Sequence, residues 1–156
     1  MAKFFKTSED IIELIEDKFS ETGLEHYGIN LKIMSTSKLK DLMSVTKESA
    51  KTEYLAKSQD MVSIIVYEEL FDRLNDETKI LLTEMYLSGI SYDSEKDKIS
   101  VDKNHINLIL NMKRKYGNNF LDRIEEVQLI NQQMIEEEKE RKEAEKAAKK
   151  AKKNYG

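Results

Sequence analysis

The chain of 156 residues contains no cysteine, no proline and no tryptophan, and it has only two histidines. Without cysteine it cannot form a disulfide, a zinc site with thiolate ligands or a cysteine nucleophile. A metal site would have to use oxygen ligands together with His26 and His105. The five glycines are isolated from one another, so the sequence offers no glycine-rich loop to hold a phosphate group.

Long apolar stretches are missing as well. No window reaches the roughly 20 apolar residues that a membrane span requires, and the first ten residues lack an apolar run of signal-peptide length. With cysteine also absent, we expect a soluble protein of a reducing intracellular compartment, the cytoplasm, with no membrane partner. Its length corresponds to one domain, long enough to bury roughly two thirds of the surface of the unfolded chain.

Negative charge predominates, but it is distributed unevenly. The net charge is −4, yet residues 136–153 contain six Glu and eight Lys or Arg, which leaves a net charge of −6 for residues 1–135. Binding to a nucleic-acid backbone requires clustered Lys and Arg side chains. The tail offers such a cluster in Lys149, Lys150, Lys152 and Lys153. We therefore expect any nucleic-acid contact to be made through the tail alone.

Hydrophobic periodicity in the first half predicts a helix followed by strands. A helix is predicted up to Gly23: Thr7 or Ser8 caps it, two acids fill its first turn, and its apolar residues lie on one face, a pattern typical of an amphipathic helix. Alternating apolar residues at 29–33 predict a half-buried strand, and the Val- and Ile-rich run at 61–67 predicts a buried central strand. Between them, SKLKDLM predicts a short helix capped by Ser37, and residues 45–58 predict a loop or a surface helix.

The second half begins with an apolar helix that we expect from Asn75 or Asp76 to about Gly89. Because this helix is apolar on most of its circumference, it should lie in the core. Residues 90–101 alternate on either side of a polar turn and predict a β-hairpin. Residues 102–116 predict a further helix with a polar cap at its start.

The last predicted helix begins at Asn118 or Asn119 and changes character at Ile135. Before that residue, apolar side chains recur every three or four positions and form a seam that needs a partner surface: Phe120, Ile124, Val127, Ile130 and Met134. The seam either docks on its own domain or forms a weak homo-oligomer, and its length of about two heptads favours a monomer with docking on the same chain. After Ile135, interleaved charges predict a protruding helix.

These elements predict an α+β fold: a small antiparallel or mixed sheet, helices packed on it, and a long charged C-terminal helix. Residues 1–135 form the expected domain, and residues 136–156 form the expected charged helical tail. Gly, Pro and Ser do not cluster between elements, so no linker indicates a second domain.

The order of these elements resembles that of phage metallopeptidases, relatives of the SprT group of zincin-like proteins. The similarity is carried by MVSIIVYEELFDRLNDETKILLTEMYLSGISYDSEKDK and by NHINLILNMKRKYG, and it covers residues 29–117. In that family a Leu-Leu helix bears HExxH, whose two histidines share one helical face and bind zinc while the Glu activates the bound water. On this register Glu84 and Ser88 stand at the two histidine positions, and Met85 stands at the position of the Glu.

The resemblance therefore implies a zincin-like domain that has lost its zinc ligands and catalytic base, with no metal or cofactor. His105 lies near the place from which such families draw a further ligand, but one imidazole and one carboxylate do not make a tetrahedral catalytic site. We favour a surface or packing role for His105. For Glu84 we favour an ion pair with a Lys over a relic of metal binding, because a carboxylate on a packed helix needs a partner.

The leading functional hypothesis is a non-catalytic, phage-type accessory protein that acts through protein–protein contacts in the host cytoplasm. The candidate contact residues are those of the seam, Ile124, Val127 and Ile130, together with the four tail lysines. An alternative from another class is a nucleic-acid-associated factor that uses the basic tail. An active metal-dependent hydrolase is the least favoured hypothesis. The sequence leaves open the identity of the partner, the stage of infection and any association with the virion.

Overall fold

The structure, a computed structural model, describes residues 2–48 and 61–155. These residues form an α+β fold with a long C-terminal helix, as predicted. The strands are β1 (Phe4–Phe5), β2 (Asn30–Thr36), β3 (Met43–Lys47), β4 (Met61–Tyr67), β5 (Ile90–Asp93) and β6 (Lys98–Val101). The helices are α1 (Glu9–Thr22), α2 (Glu68–Arg73), α3 (Asp76–Leu87), α4 (His105–Tyr116) and α5 (Leu121–Tyr155).

A mixed four-stranded sheet organises the domain, with the strand order β1-β2-β4-β3. Strands β2 and β4 are parallel, whereas β1 and β3 pair antiparallel with their neighbours. Along β4, Val62, Ile64 and Val66 are fully buried and alternate with partly buried residues, because successive side chains of a strand point to opposite faces. The predicted central strand is thus confirmed. Strands β5 and β6 form the predicted hairpin as a separate two-stranded sheet.

The short helix predicted after Ser37 is wrong, because this segment forms a loop that leads into β3. The Ser37 hydroxyl accepts a hydrogen bond from the Lys3 N–H instead of capping a helix, and the Leu42 carbonyl accepts one from the Tyr67 N–H. Pairing with β4 thus satisfies backbone groups that an isolated helix of one or two turns would leave exposed to water. Residues 45–58 were expected to form a loop or a surface helix. Residues 45–47 instead belong to β3, and residues 49–58 lie outside the described residues.

Helix α3 lies at the centre of the core, as expected. It contacts α1, α4, α5 and β3. The Asn75 side chain caps it by accepting a hydrogen bond from the Thr78 N–H, which satisfies one of the free N–H groups of the first turn. Leu82 is 2% exposed and Met85 is 3% exposed. The helix therefore owes its position to burial on several sides.

The β5–β6 hairpin returns the chain to α3 through a close backbone contact at Gly89. The Asp102 N–H donates to the Gly89 carbonyl at 2.8 Å, and a Cβ atom at Gly89 would lie only 2.4 Å from the Asp102 carbonyl oxygen. Only glycine fits this approach. Helix α4 then begins beside it, capped by Asn104, whose side chain accepts from the N–H groups of Ile106 and Asn107.

Helix α5 follows a 3₁₀ turn at Asn118–Phe120 and is 35 residues long, about 52 Å. Phe120 and Met134 are buried in the core, and the three seam residues between them pack against it while staying partly exposed. The seam thus packs on its own chain, and the monomeric state stays a prediction. After Glu138 every side chain of α5 that the structure describes is exposed. No helix among the described residues is both long enough and apolar enough to cross a membrane.

Candidate functional site

The positions that the resemblance assigns to zinc chemistry lie on two different sides of α3. Glu84 and Ser88, one helical turn apart, face a polar cleft of about 220 Å³ between α1, α3 and α4. Met85 points to the other side, where it lines an apolar cleft. Adjacent residues of a helix are about 100° apart around its axis, so this divergence follows from the helix itself.

Glu84 forms an ion pair with Lys115 of α4, whose Nζ donates to Oε1 at 2.5 Å. Burial by itself raises the pKa of Glu84, but the hydrogen bond and the positive charge of Lys115 outweigh it and hold the pKa below its ordinary value. The same hydrogen bond raises the pKa of Lys115. Both directions favour the charged pair, and the predicted pairing of Glu84 with a Lys is confirmed.

Met85 and Ser88 also have structural roles. The Met85 side chain belongs to the hydrophobic core, and a thioether cannot accept a proton as a general base. The Ser88 hydroxyl donates to the Met85 carbonyl at 2.6 Å and accepts from the Asn111 amide at 3.3 Å. Both groups thus contribute to the packing of α3 against its neighbours.

His105, the first residue of α4, lies away from the polar cleft that contains Glu84. Its ring stands edge-on to Tyr86 with 5.9 Å between the ring centroids, and its Nδ1 lies 4.0 Å from Oδ1 of Asp41. Burial strongly raises the pKa of Tyr86, so its hydroxyl stays neutral. The expected packing role of His105 agrees with this contact.

These four positions therefore do not fit a catalytic zinc ion. A tetrahedral site needs three protein ligands directed at one point, whereas Glu84 is paired with Lys115, Met85 is in the core and His105 lines another cleft. Across residues 2–48 and 61–155, no group of three or more His, Asp or Glu side chains is arranged to hold a metal ion.

The apolar cleft lies on the other side of α3, beside the seam. Its volume is about 320 Å³, and it separates α4 from α5. Leu82, Met85 and Tyr86 of α3 form its floor, and its walls contain Ile109 of α4 with Ile124 and Val127 of α5. Sequence periodicity identified the α5 wall but missed the α4 wall.

The sequence did contain a signal for the α4 wall, because α4 carries apolar residues on more than one face. Leu108 and Met112 are buried, yet Ile106, Ile109 and Leu110 are also apolar, and Ile106 is 69% exposed. A helix that docks by one face needs fewer apolar positions than this. The surplus indicates a second apolar surface on α4.

The loop of residues 38–42 connects this cleft with two neighbouring ones. One neighbour runs beside β3 to Asp102 and Lys103, and the other runs along α5 to Ile135 and Glu138. Asp41 lines all three. We call the apolar cleft between α4 and α5 the α4–α5 groove.

The tail lysines stand apart from both clefts. Lys149, Lys150, Lys152 and Lys153 are all exposed. They follow Glu138 by 11 to 15 residues, which corresponds to about 16 to 22 Å along the helix. The basic cluster is therefore held away from the acidic body of the protein.

Comparisons of this chain with models of known protein families, with curated proteins and with solved structures found no match. The resemblance to phage metallopeptidases consequently rests on the residue pattern alone.

Proposed function

We propose that this chain is a non-catalytic accessory protein of the phage type, with a degenerate zincin-like scaffold that acts through protein–protein contacts. The observation that carries the proposal is the ion pair between Glu84 and Lys115, which occupies the position of the first zinc ligand of the resembling family. The assignment to phage, and with it an action in the host cytoplasm, rests on the sequence resemblance.

The chemistry of HExxH supports this proposal. That motif needs two neutral imidazoles and a free carboxylate close to the metal-bound water. Here the side chains of Glu84 and Ser88 hold α3 against α4, so they serve the fold instead of a reaction. The half-buried seam residues Ile124, Val127 and Ile130 leave apolar surface beside the groove, which suits contact with another protein.

Metal analysis together with a protease assay tests this proposal. The full chain, purified without added metal, should contain well under one zinc ion per chain by mass spectrometry and should leave casein intact. A stoichiometric zinc ion that resists mild chelation and is lost in a His105→Ala variant would contradict the proposal. That result would favour the metal-dependent hydrolase instead.

A second candidate function is nucleic-acid association through the tail, favoured by the exposed lysine cluster on the free end of α5. Each phosphate contact contributes a slope of roughly −0.9 to the dependence of log K on log salt, so four lysines predict a slope of about −3 to −4. Changing the four lysines to Gln should abolish DNA binding. The matched change of four exposed lysines outside the tail, Lys6, Lys47, Lys96 and Lys98, to Gln is the control.

A further inference from the structure

Helix α1 presents a face of exposed carboxylates that form no ion pair with any described residue. Successive residues of a helix are about 100° apart around its axis, so these side chains lie within an arc of about 120° and along about 12 Å. The only lysine of α1, Lys18, lies outside this arc and pairs with Glu21 at 3.1 Å. The members of the acidic face are Glu9, Asp10, Glu13, Glu16 and Asp17.

The free end of α5 presents a basic face of nearly the same dimensions. Its lysines follow the spacing i, i+3, i+4 and i+7, which places them within an arc of about 100° and along about 10.5 Å. They are exposed, they form no ion pair with a described residue, and residues 146–155 contain no acid that could neutralise them. The members of the basic face are Lys146, Lys149, Lys150 and Lys153.

The two faces do not meet within one chain. Helix α5 is continuous from Leu121 to Tyr155 and contains no glycine or proline at which it could fold back. Every described side chain after Glu138 is exposed, so the basic face lies against no described part of its own body. Lys146 lies about 12 Å beyond Glu138 along the helix axis. The basic face is therefore presented to other molecules.

We propose that copies of this chain associate head to tail, with the basic face of α5 from one copy lying against the acidic face of α1 from the next. Complementary charge carries the proposal, because unpaired carboxylates meet unpaired ammonium groups over nearly the same length. The net charges of −6 for residues 1–135 and +2 for residues 136–153 also attract the tail of one copy to the body of another. The seam takes no part in this contact and stays packed on its own chain.

Such a contact joins two different surfaces, so it leaves one acidic and one basic face free at the ends of each assembly. Further copies add until a ring closes. Exposed ion pairs are weak and are screened by salt, so the association requires high protein concentration and low ionic strength. A nucleic acid would compete for the basic face, but the acidic face would repel it.

Sedimentation equilibrium of the full chain, treated with nuclease, tests the association itself. At about 0.01 M salt, where the Debye length is about 30 Å, the mean mass should rise above the monomer mass as the concentration increases. At about 1 M salt, where the Debye length is about 3 Å, it should return to the monomer mass. A monomer mass at low salt, association that persists at high salt, or association that requires added DNA would overturn the proposal.

Reversal of charge on α1 tests the acidic face. Glu13→Lys with Glu16→Lys and Asp17→Lys changes only exposed side chains and keeps the acids of the first turn, so circular dichroism should show a folded chain. The association should weaken at least about tenfold. A matched control reverses three exposed acids elsewhere: Glu95→Lys, Glu125→Lys and Glu136→Lys. The control should retain most of the association, and equal weakening of both variants would mean that only net charge matters and would overturn the proposal.

Reversal of the basic face tests the other half of the contact. Lys146→Glu with Lys150→Glu and Lys153→Glu should likewise weaken self-association at least about tenfold. A mixture of this variant with the α1 variant should associate again, because each variant then meets a face of opposite charge. This rescue is not expected if either set of changes unfolds the chain. A mixture that stays monomeric at low salt would contradict the proposal.

Zero-length crosslinking in a mixture of isotope-labelled and unlabelled chains locates the contact. A carbodiimide joins a carboxylate to a lysine amine that touches it, with loss of water. Mass spectrometry should find amide bonds between α1 carboxylates such as Glu13 and tail lysines such as Lys150, in peptides that combine both isotopes. Crosslinks between copies that involve only other segments would overturn the proposal. None of these results depends on zinc content or casein cleavage, so failure here is distinguishable from failure of the proposed function.

Discussion

Helices α3 and α5 are stabilised in opposite ways. Helix α3 has 12 residues and is surrounded by α1, α4, α5 and β3. Helix α5 has 35 residues, and every described side chain after Glu138 is exposed. Burial holds the first in place. The second combines a half-buried seam, polar contacts at its edges and a free end with high helical propensity.

This difference separates two effects: burial determines where a helix lies, whereas local propensity determines whether a segment is helical. Changes in α3 alter packing on several sides at once, because each buried side chain contacts more than one element. Changes in α5 should affect only the part of the helix in which they occur. The following experiments test this contrast, beginning with the largest expected effect.

Leu82→Ala in α3 should lower the free energy of unfolding by about 2–5 kcal/mol, because it removes buried methyl groups and leaves a cavity in the core. Urea denaturation measures the change. Ile80→Ala on the same helix, where the side chain is partly exposed, is the control and should cost under about 1 kcal/mol. A loss below about 0.5 kcal/mol at Leu82 would mean that α3 is peripheral.

Ile124→Asp combined with Val127→Asp should lower the free energy of unfolding by about 1–3 kcal/mol, because two charges enter partly buried positions. Light scattering should show an unchanged mass if the seam docks only on its own chain. Leu129→Asp, on another face of the same helix, is the matched control and should have little effect. A concentration-dependent loss of dimer in the double variant would instead indicate self-association through the seam.

Glu126→Ala should cost about 1–2 kcal/mol, because the Glu126 carboxylate joins α5 to the start of α3. It accepts hydrogen bonds from the N–H and the side-chain amide of Asn75 and from the Thr78 hydroxyl. The neighbouring Glu125 is exposed, so Glu125→Ala should leave the urea midpoint unchanged. Equal effects of the two variants would show that these hydrogen bonds do not hold the helix.

Deleting residues 139–156 should have the smallest effect and leave the urea midpoint of the body unchanged, because none of the described side chains removed is buried. Deleting residues 137–156 also removes the ion pairs of Glu137 with Arg73 at 2.9 Å and of Glu138 with Lys38 at 3.6 Å. Exposed ion pairs contribute little, so the two deletions should give nearly the same midpoint. Unfolding of the body by the shorter deletion would place the charged helix within the fold.

Whether an element could be predicted from the sequence depended on how much local information its segment carries. Residues 8–23 have a clear helical period, residues 75–87 have a capping Asn and an apolar run, and both form the expected helices. The predicted cap by the Ser8 side chain is wrong, because the Ser8 hydroxyl donates to the Glu68 carboxylate instead. SKLKDLM has a helical spacing of Leu39, Leu42 and Met43 too, but it forms a loop whose end, at Leu42 and Met43, pairs with β4. A single-sequence pattern cannot reveal that a sheet edge is close enough to offer better hydrogen bonds.

The candidate site shows the same limit. The resemblance aligned Glu84, Met85 and Ser88 with the HExxH positions, and the sequence anticipated a Lys partner for Glu84. It could not specify Lys115, which is 31 positions away, because that contact depends on how α4 packs beside α3. The sequence could not predict the α4–α5 groove either, because its width depends on the distance between α4 and α5 in the folded chain.

By itself, the sequence determined the helical and strand periods, the α+β class, the position of the core helix and the change of α5 from apolar seam to charged end. Those features depend on interactions between residues a few positions apart. Only the tertiary structure decided the pairing of β3 with β4, the partner of Glu84 and the separation of α4 from α5. These depend on contacts between distant segments, where several arrangements satisfy the same local pattern and packing of the whole chain selects one.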